Sequence, residues 1–166
     1  MLAPQRLTVK HLRGVEDFSL EFGDDLVVLL FGQMGAGKTT ISQYAVETAL
    51  TGGVHKPGQK ATYPMEWLKP NPTSGGTPDV AMSFANTEDD AALLRVHRTF
   101  FPHELLVNAT TRSTATATQE WLDEMLGISE EQIVALLHSG RFVGMTTKAA
   151  SAFLLELLQP EVTEEE

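Results

Sequence analysis

The segment Val27–Ser42, VVLLFGQMGAGKTTIS, constrains the fold of this chain more than any other stretch. Its first five residues are all apolar, as in a central β-strand that is covered on both faces. A loop with the spacing GxxxxGKT follows, starting at Gly32, and apolar residues then recur at helical spacing. Gly52-Gly53 marks the end of that helix. The segment therefore predicts a buried strand, a glycine-rich loop and a helix in direct succession.

This strand–loop–helix pattern is typical of a site for a nucleoside triphosphate. Glycines let backbone amides wrap closely around an anion, and the helix N-terminus adds favourable potential. Lys38 is expected to reach the β- and γ-phosphates, the Thr39 hydroxyl to ligate Mg²⁺, and Thr40 to touch the α-phosphate. ATP and Mg²⁺ are the predicted ligands. The predicted nucleotide-binding residues of the loop are Gly32, Gln33, Met34, Gly35, Ala36, Gly37, Lys38, Thr39 and Thr40.

The rest of the chain predicts strands followed by helices. Residues 52–78, rich in Gly, Pro and Lys, are expected to form a surface loop, and 110–118 to form a loop or edge strand. Apolar stripes indicate one helix closed by Gly127, one opened by a Ser129-x-x-Gln132 capping box, and one near 147–158. Alternating apolar residues predict strands at 7–15, 17–22, 79–85, 92–100 and 103–109.

Composition narrows the range of functions. The formal net charge is -10 and there is no cysteine. Such acidity argues against a nucleic-acid interface formed by this chain alone, and the lack of cysteine excludes disulfides and thiolate metal sites. No apolar run approaches the roughly 20 residues of a membrane span, and no export signal is present. The expectation is a cytoplasmic protein, of a bacterium or of a phage in its host.

Hydrolysis of ATP needs groups that this sequence does not show. A P-loop ATPase usually holds Mg²⁺ with an aspartate that ends a second apolar strand. Asp123-Glu124 lies instead in an amphipathic helix pattern, and the five histidines are scattered. The sequence therefore predicts half of a catalytic machine, which binds nucleotide but turns over little by itself.

The order of these elements resembles the N-terminal half of SMC-like, SbcC-type DNA-repair ATPase heads. In that family a strand pair with an Asn-Phe-Arg-Gly-like turn precedes the P-loop, and here the turn reads HLRGV. Arg13 matches the family's arginine, which helps to bind the nucleotide phosphates, and Val96-x-Arg98 matches a later strand pattern. The resemblance implies an α/β fold, a P-loop NTPase half-head of the ABC type. Its mixed sheet would carry an antiparallel N-terminal strand pair, with helices towards the C-terminus.

The resemblance also implies function and partners. Residues 1–158 would form the nucleotide-binding lobe, and 159–166 an acidic tail where a coiled coil is expected to begin. The C-terminal half of the head would supply the Walker B and signature motifs and complete an ATPase. A second head would sandwich ATP, and a nuclease subunit and DNA would be further partners, in double-strand-break repair or recombination.

One departure from the family concerns catalysis. The family usually has Gln-Gly where this chain has Ser139-Gly140, and that glutamine contacts Mg²⁺ and the attacking water. Ser139 and the adjacent His138 are therefore candidate catalytic residues beside Lys38. The structural alternative for His138 is a helix-end residue bonded to a carbonyl.

Two other functions stay open at this point. A self-contained small P-loop kinase or NTPase would suit the length, but it needs a lid and acceptor-site cations. The segments RVHRTF and TTRSTA offer three arginines, none in a lid-like cluster. A non-catalytic interaction module with a degenerate loop is the other alternative, against which the intact Gly-Lys-Thr argues.

Overall fold

The computed structural model describes residues 2–23, 28–55, 62–63, 75–86, 93–100 and 102–137, together with residue 151. The predicted acidic tail, Ser139 and His138 lie outside the described residues, as does the predicted third C-terminal helix apart from residue 151. The strands are β1 (Leu2–Leu12), β2 (Val15–Glu21), β3 (Val54–His55), β4 (Thr62–Tyr63), β5 (Asp79–Asn86), β6 (Leu93–Thr99) and β7 (Glu104–Val107). The helices are a π-helical segment (Thr40–Ala45) that runs directly into α1 (Val46–Thr51), then α2 (Ala115–Leu126) and α3 (Glu130–Leu137).

Five strands form one antiparallel sheet in the order β2-β1-β5-β6-β7. The predicted N-terminal strand pair is confirmed as a hairpin, with Leu7 opposite Leu20 and Leu12 opposite Val15. β1 begins five residues earlier than predicted, because its first residues pair with β5, where Leu2 faces Asn86. Long-range pairing with β5, rather than the local pattern, sets where β1 begins.

The core lies between one face of this sheet and the helices. Alternation in the strands supplies the apolar face, as period-2 patterns require. Each buried Val or Leu side chain contributes roughly 1.5–3 kcal/mol through removal of apolar surface from water. From the helices, Ala45, Ala49, Leu122 and Ile133 complete the cluster. The residues of the sheet that belong to this core cluster are Leu7, Val9, Leu12, Val15, Val80, Met82, Phe84, Leu94, Val96, Leu105 and Val107.

The prediction of a buried central strand at 27–31 is wrong for the residues that the structure describes there. Residues 28–31 form no strand, and the exposed fractions of Leu29 and Phe31 are 69% and 87%. A strand covered on both faces needs neighbours along both edges. The five described strands of the main sheet hydrogen-bond to one another and provide none for this segment. Its apolar sequence is therefore not matched by burial within the described chain.

Other local predictions are confirmed or corrected by particular hydrogen bonds. The capping box is confirmed by two hydrogen bonds. The backbone N–H of Gln132 donates to the Ser129 hydroxyl at 3.3 Å, and the backbone N–H of Ser129 donates to Gln132 Oε1 at 2.8 Å. The prediction for 110–118 is wrong in part, because Thr114 caps α2 by accepting from Ala117 N at 3.0 Å. The predicted loop at 52–78 contains the short β3–β4 pair.

Candidate nucleotide-binding site

The glycine-rich loop connects residues 28–31 to the first helical turn in the way that an anion cradle requires. Gly35 and Gly37 have φ of +84° and +82°, the left-handed region that favours glycine. A Cβ at position 37 would stand 3.0 Å from Val15 Cγ2, so the hairpin also requires a glycine there. Alternation of left-handed residues with their neighbours can turn successive amides to one side, as in an anion nest, while the Ala36 amide donates to Gln33 O at 3.2 Å. Behind the loop, Ile41 N donates to Gly37 O at 2.9 Å and begins the helix.

Lys38 spans the loop from its helical end to its beginning. Its Nζ donates to Gly32 O and to Gln33 O, both at 2.8 Å. An ammonium group has three N–H donors, so one remains for an anion seated in the loop. The two carbonyls hold the positive charge across the mouth of the cradle, where it adds to the helix N-terminus. This arrangement suits the phosphates of a nucleotide.

The β1–β2 hairpin brings Arg13 beside the helix that follows the loop. The turn itself is tight, and Arg13 has a φ of +54°. Its guanidinium carbon lies 5.3 Å from the centre of the Tyr44 ring, a cation–π contact. Together with the contact between Val15 and Gly37, this stacking places the predicted phosphate-assisting arginine on the loop side of the sheet.

The two threonines after Lys38 differ in exposure. Thr40 is buried, with an exposed fraction of 7%, whereas Thr39 is exposed and its side chain makes no capping hydrogen bond. The Thr39 hydroxyl thus fits the role of a Mg²⁺ ligand, because hard cations take oxygen donors. Among the described residues there is no group of three or more His, Asp or Glu side chains that could hold a metal. Further ligands would have to come from phosphate oxygens, water or residues outside the described part.

Of the three predicted catalytic candidates, the described structure includes only Lys38. Lys38 lies in the loop, whereas Ser139 and His138 lie outside the described residues. Asp123 is on α2, as predicted, where its Oδ1 accepts from Gln119 Nε2 at 2.7 Å. Because this carboxylate is bound to Gln119 on a helix, we still expect that it is not the aspartate that would hold Mg²⁺ in a P-loop ATPase.

Comparison with known proteins identifies the family. Residues 6–143, well over half of the chain, match the AAA domain family. The chain belongs to the AAA domain family. A solved structure from work on ATP-driven dimerization and DNA-stimulated activation of SMC ATPases is also similar to it. The TM-score is 0.65 at 16% identity, covering 93% of this chain and 98% of that one. None of the curated proteins matches this AAA domain significantly. The predicted resemblance to an SMC-like head is thus confirmed at the level of fold.

Sequence reasoning missed the buried arginine of this AAA domain. Arg98, noted only as part of the Val96-x-Arg98 pattern, has an exposed fraction of 2%. Its guanidinium donates to the last carbonyls of α1 and to Gln119. The alternation of side chains along β6 indicates this burial, because Arg98 lies on the core-facing side together with Leu94, Val96 and Phe100.

Proposed function

We propose that this AAA domain is the ATP-binding lobe of an SMC-like ATPase head that acts in DNA double-strand-break repair or recombination. The observation that carries the proposal is the Lys38 ammonium, held by Gly32 O and Gln33 O across a glycine nest. In this proposal residues 32–40 hold ATP, Arg13 assists at the phosphates and Thr39 ligates Mg²⁺. Ser139 and His138 are the proposed candidates for positioning water.

Equilibrium titration of the chain with a fluorescent ATP analogue and Mg²⁺ tests nucleotide binding. Lys38→Ala removes a charge-assisted hydrogen bond to phosphate, a contact of about 1.5–3 kcal/mol, so affinity should fall roughly 10- to 100-fold. Lys10→Ala, which removes the same charge from an exposed position on β1, is the matched control and should bind like wild type. Equal affinity of wild type and Lys38→Ala would contradict the proposal.

The exposed apolar segment supports a partner that completes the head. Leu29, Phe31 and Met34 have exposed fractions of 69%, 87% and 101%, next to the nucleotide loop. Exposed apolar groups of this size, arranged in a strand-like sequence, are typical of an interaction surface. The C-terminal half of the head, with its Walker B and signature motifs, is the proposed occupant, and added strands beside residues 28–31 would bury them.

Amide hydrogen exchange can follow that pairing. Residues 28–31 should exchange fast in the isolated chain and slowly once the polypeptide encoded downstream is co-expressed with it. Phe31→Gln should reduce co-purification, whereas Leu136→Gln, at an exposed position on α3 (56%), should not. Unchanged co-purification of Phe31→Gln would contradict this assignment of the surface.

Solvent exposure of the nucleotide loop supports the proposal that two heads dimerise through bound ATP. Residues 31–36 are all exposed, so a nucleotide in the cradle would keep one side accessible to a second head. The structurally similar SMC ATPase comes from work on ATP-driven dimerization. Sedimentation of the completed head should show dimers with a slowly hydrolysed ATP analogue and Mg²⁺, and monomers with the Lys38→Ala variant.

DNA is proposed to contact the outer face of the main sheet, opposite the core. A groove of about 330 Å³ there is lined by Arg6, Thr8, Ala81, Ser83, Arg95 and His97, with backbone of Met82 and Val96 between them. Arg6, Ser83 and Arg95 stand in one cross-strand row. Neighbouring strands are about 4.8 Å apart, so the two arginines flank small residues at a backbone separation of about 10 Å. Two cations over a shallow floor suit a phosphodiester backbone.

Neighbouring side chains orient Arg6 and His97 in this groove. Arg6 Nε donates to Ser19 Oγ at 3.1 Å, and its Nη1 lies 3.9 Å from Glu21 Oε1. That ion pair is exposed and therefore weak, so it can exchange for phosphate. His97 Nε2 lies 3.0 Å from Asp79 Oδ2, which orients the imidazole beside the groove. The overall charge of -10 opposes binding, so the interaction is expected only for the assembled head or at low salt.

Fluorescence anisotropy with a labelled duplex at several salt concentrations tests this surface. Arg95→Gln should weaken binding and lower the slope of log K against log salt by about 1, as expected for one lost phosphate contact. Arg112→Gln, at an exposed arginine that stacks on Trp121 and does not line the groove, is the charge-matched control. Identical slopes for wild type and Arg95→Gln would remove the groove from the proposal.

The rate of ATP hydrolysis and the co-purification of a nuclease distinguish the proposed half-head from the alternative functions. The isolated chain should hydrolyse ATP little, because the described residues contain no acidic cluster near the loop. A robust rate abolished by Lys38→Ala would contradict the half-head, and phosphoryl transfer to nucleoside or metabolite acceptors would favour a kinase instead. The proposed nuclease partner rests on the resemblance of the N-terminal segment, and its test is co-purification of a nuclease with the completed head.

A further inference from the structure

The C-terminal end of α1 is held by two side chains from elsewhere in the fold. Arg98 Nε donates to Ala49 O at 2.7 Å and Nη2 to Leu50 O at 3.2 Å. Gln119 Nε2 donates to the same Leu50 O at 2.9 Å. The last carbonyls of a helix have no partner within the helix, so these donors satisfy groups that would otherwise be buried without hydrogen bonds.

The charge of Arg98 fits this position. Burial lowers the pKa of Arg98 from its ordinary value to about 10, an effect that the charges of Asp123 and Glu130 partly oppose. The guanidinium therefore stays positive at neutral pH, where it lies against the negative end of the helix dipole. A buried charge of this kind persists only if hydrogen bonds compensate its loss of water. The contacts to α1 are thus a condition for Arg98 to be in the core at all.

Gln119 links these contacts to α2. Its Oε1 accepts from Arg98 Nη2, while its Nε2 donates both to Leu50 O and to Asp123 Oδ1, at 2.9 and 2.7 Å. Both ends of the amide are used, and they join β6, α1 and α2 at one point. A shift of α2 relative to α1 would break several of these bonds together, so the three elements are expected to move as one unit.

The other end of the same helix is the nucleotide loop. Helical residues run without interruption from Lys38 to Thr51, about 20 Å at 1.5 Å per residue. We propose that Arg98 and Gln119 are positioning residues that clamp the C-terminal end of this helix and couple nucleotide binding to the docking of α2. The inference rests on the proposed function of the loop and adds to it a route by which α2 senses the bound nucleotide.

The coupling has a reciprocal consequence that a purely structural role lacks. If the clamp fixes the helix in its nucleotide-binding position, weakening the clamp lowers nucleotide affinity. By linkage, nucleotide binding must then stabilise the contact between α1 and α2 by the same factor. Amides of α2 should therefore exchange more slowly when nucleotide is bound.

The experiment compares variants of the full chain by titration with a fluorescent ATP analogue and Mg²⁺, and by amide exchange. Gln119→Leu should bind the analogue about tenfold more weakly and lose the nucleotide-dependent slowing of exchange in α2. Arg98→Lys, which keeps the charge but not the fork of donors, should weaken binding by a similar factor. Glu120→Gln, the exposed neighbour of Gln119, should behave like wild type.

Destabilisation alone is separated by Leu7→Ala, which opens the core on β1, two strands away from Arg98. This variant should melt at a lower temperature but bind nucleotide like wild type. Affinities of Gln119→Leu and Arg98→Lys within twofold of wild type would overturn the coupling, and Gln119→Leu decides alone if Arg98→Lys does not fold. If wild type and Lys38→Ala both fail to bind, the proposed function fails. The clamp is then still tested by amide hydrogen exchange at the C-terminal end of α1, because Gln119→Leu should raise the exchange rate there.

Discussion

Replacing Gly52 by alanine measures how firmly Arg98 is held at the end of α1. Gly52 caps the helix with a φ of +79°, and a Cβ there would stand 2.9 Å from Arg98 Nη1 and 3.2 Å from Cζ. A flexible arginine would normally move aside from such a contact. Here its exposed fraction is only 2%, and it is hydrogen-bonded to Ala49 O, Leu50 O and Gln119. The alanine must therefore displace a group that has few other places to go.

The expected cost has two parts. Placing alanine in the left-handed region costs about 1 kcal/mol. Displacing the guanidinium weakens at least one charge-assisted hydrogen bond, worth about 1.5–3 kcal/mol. Gly52→Ala should then lower the free energy of unfolding by roughly 2.5–4 kcal/mol, a large share of the 5–15 kcal/mol typical of a domain. The matched control is Gly127→Ala, since Gly127 caps α2 with a φ of +65° and a Cβ there would meet nothing within 4 Å. It should lose only about 1 kcal/mol.

Urea unfolding followed by circular dichroism measures both variants, with the slope m compared to confirm two-state behaviour. A third variant, Gly52→Ala combined with Arg98→Met, should show a coupling energy of about 2 kcal/mol, because the guanidinium that clashes is gone. Equal losses for Gly52→Ala and Gly127→Ala, or no coupling in the double variant, would refute the reasoning that the contact with Arg98 dominates.

Further predictions concern the helices and one histidine. Thr114→Ala, which removes the cap of α2, should cost about 1 kcal/mol in urea unfolding, whereas Ser113→Ala should cost almost nothing. Leu122→Ala, at a fully buried position, should cost about 2–4 kcal/mol by the same assay. Partial removal from water and then the charge of Arg98 lower the pKa of His103 below 6.5. The unfolded chain therefore takes up the proton more readily, so stability should fall as the pH drops below about 6.5, and His103→Gln should flatten that part of the profile.

Local chemistry made the caps and the loop predictable. The capping box at Ser129, the helix end at Gly52 and the phosphate loop depend on residues within a few positions of one another. The structure contains each of them. The strand pairs β1–β2 and β5–β6, each formed by strands consecutive in the described main sheet's sequence, followed from alternation in the same way. In each case the residues that form the feature are neighbours in the sequence, so no distant contact is needed to specify it.

Two features could not be predicted because they depend on distant parts of the fold. The strand at 27–31 was inferred from apolar composition, which shows that a segment is suited to burial but not whether neighbours are present. Arg98 is buried because carbonyls 48 and 49 residues earlier accept its hydrogen bonds.

The start of α2 was missed because threonines favour strands locally, whereas Thr114 acts here through its hydroxyl as a cap.

The segment at 28–31 has a consequence for how the chain must be handled in a cell. Val-Leu-Leu-Phe carries no charge, no proline and strong preference for extended backbone, which is the composition of sequences that stack into fibrils. While the side chains of Leu29 and Phe31 face water, copies of the chain can join to one another through them. Timely synthesis of whatever covers this segment, or shielding by chaperones until then, would therefore decide how much of the protein stays dispersed.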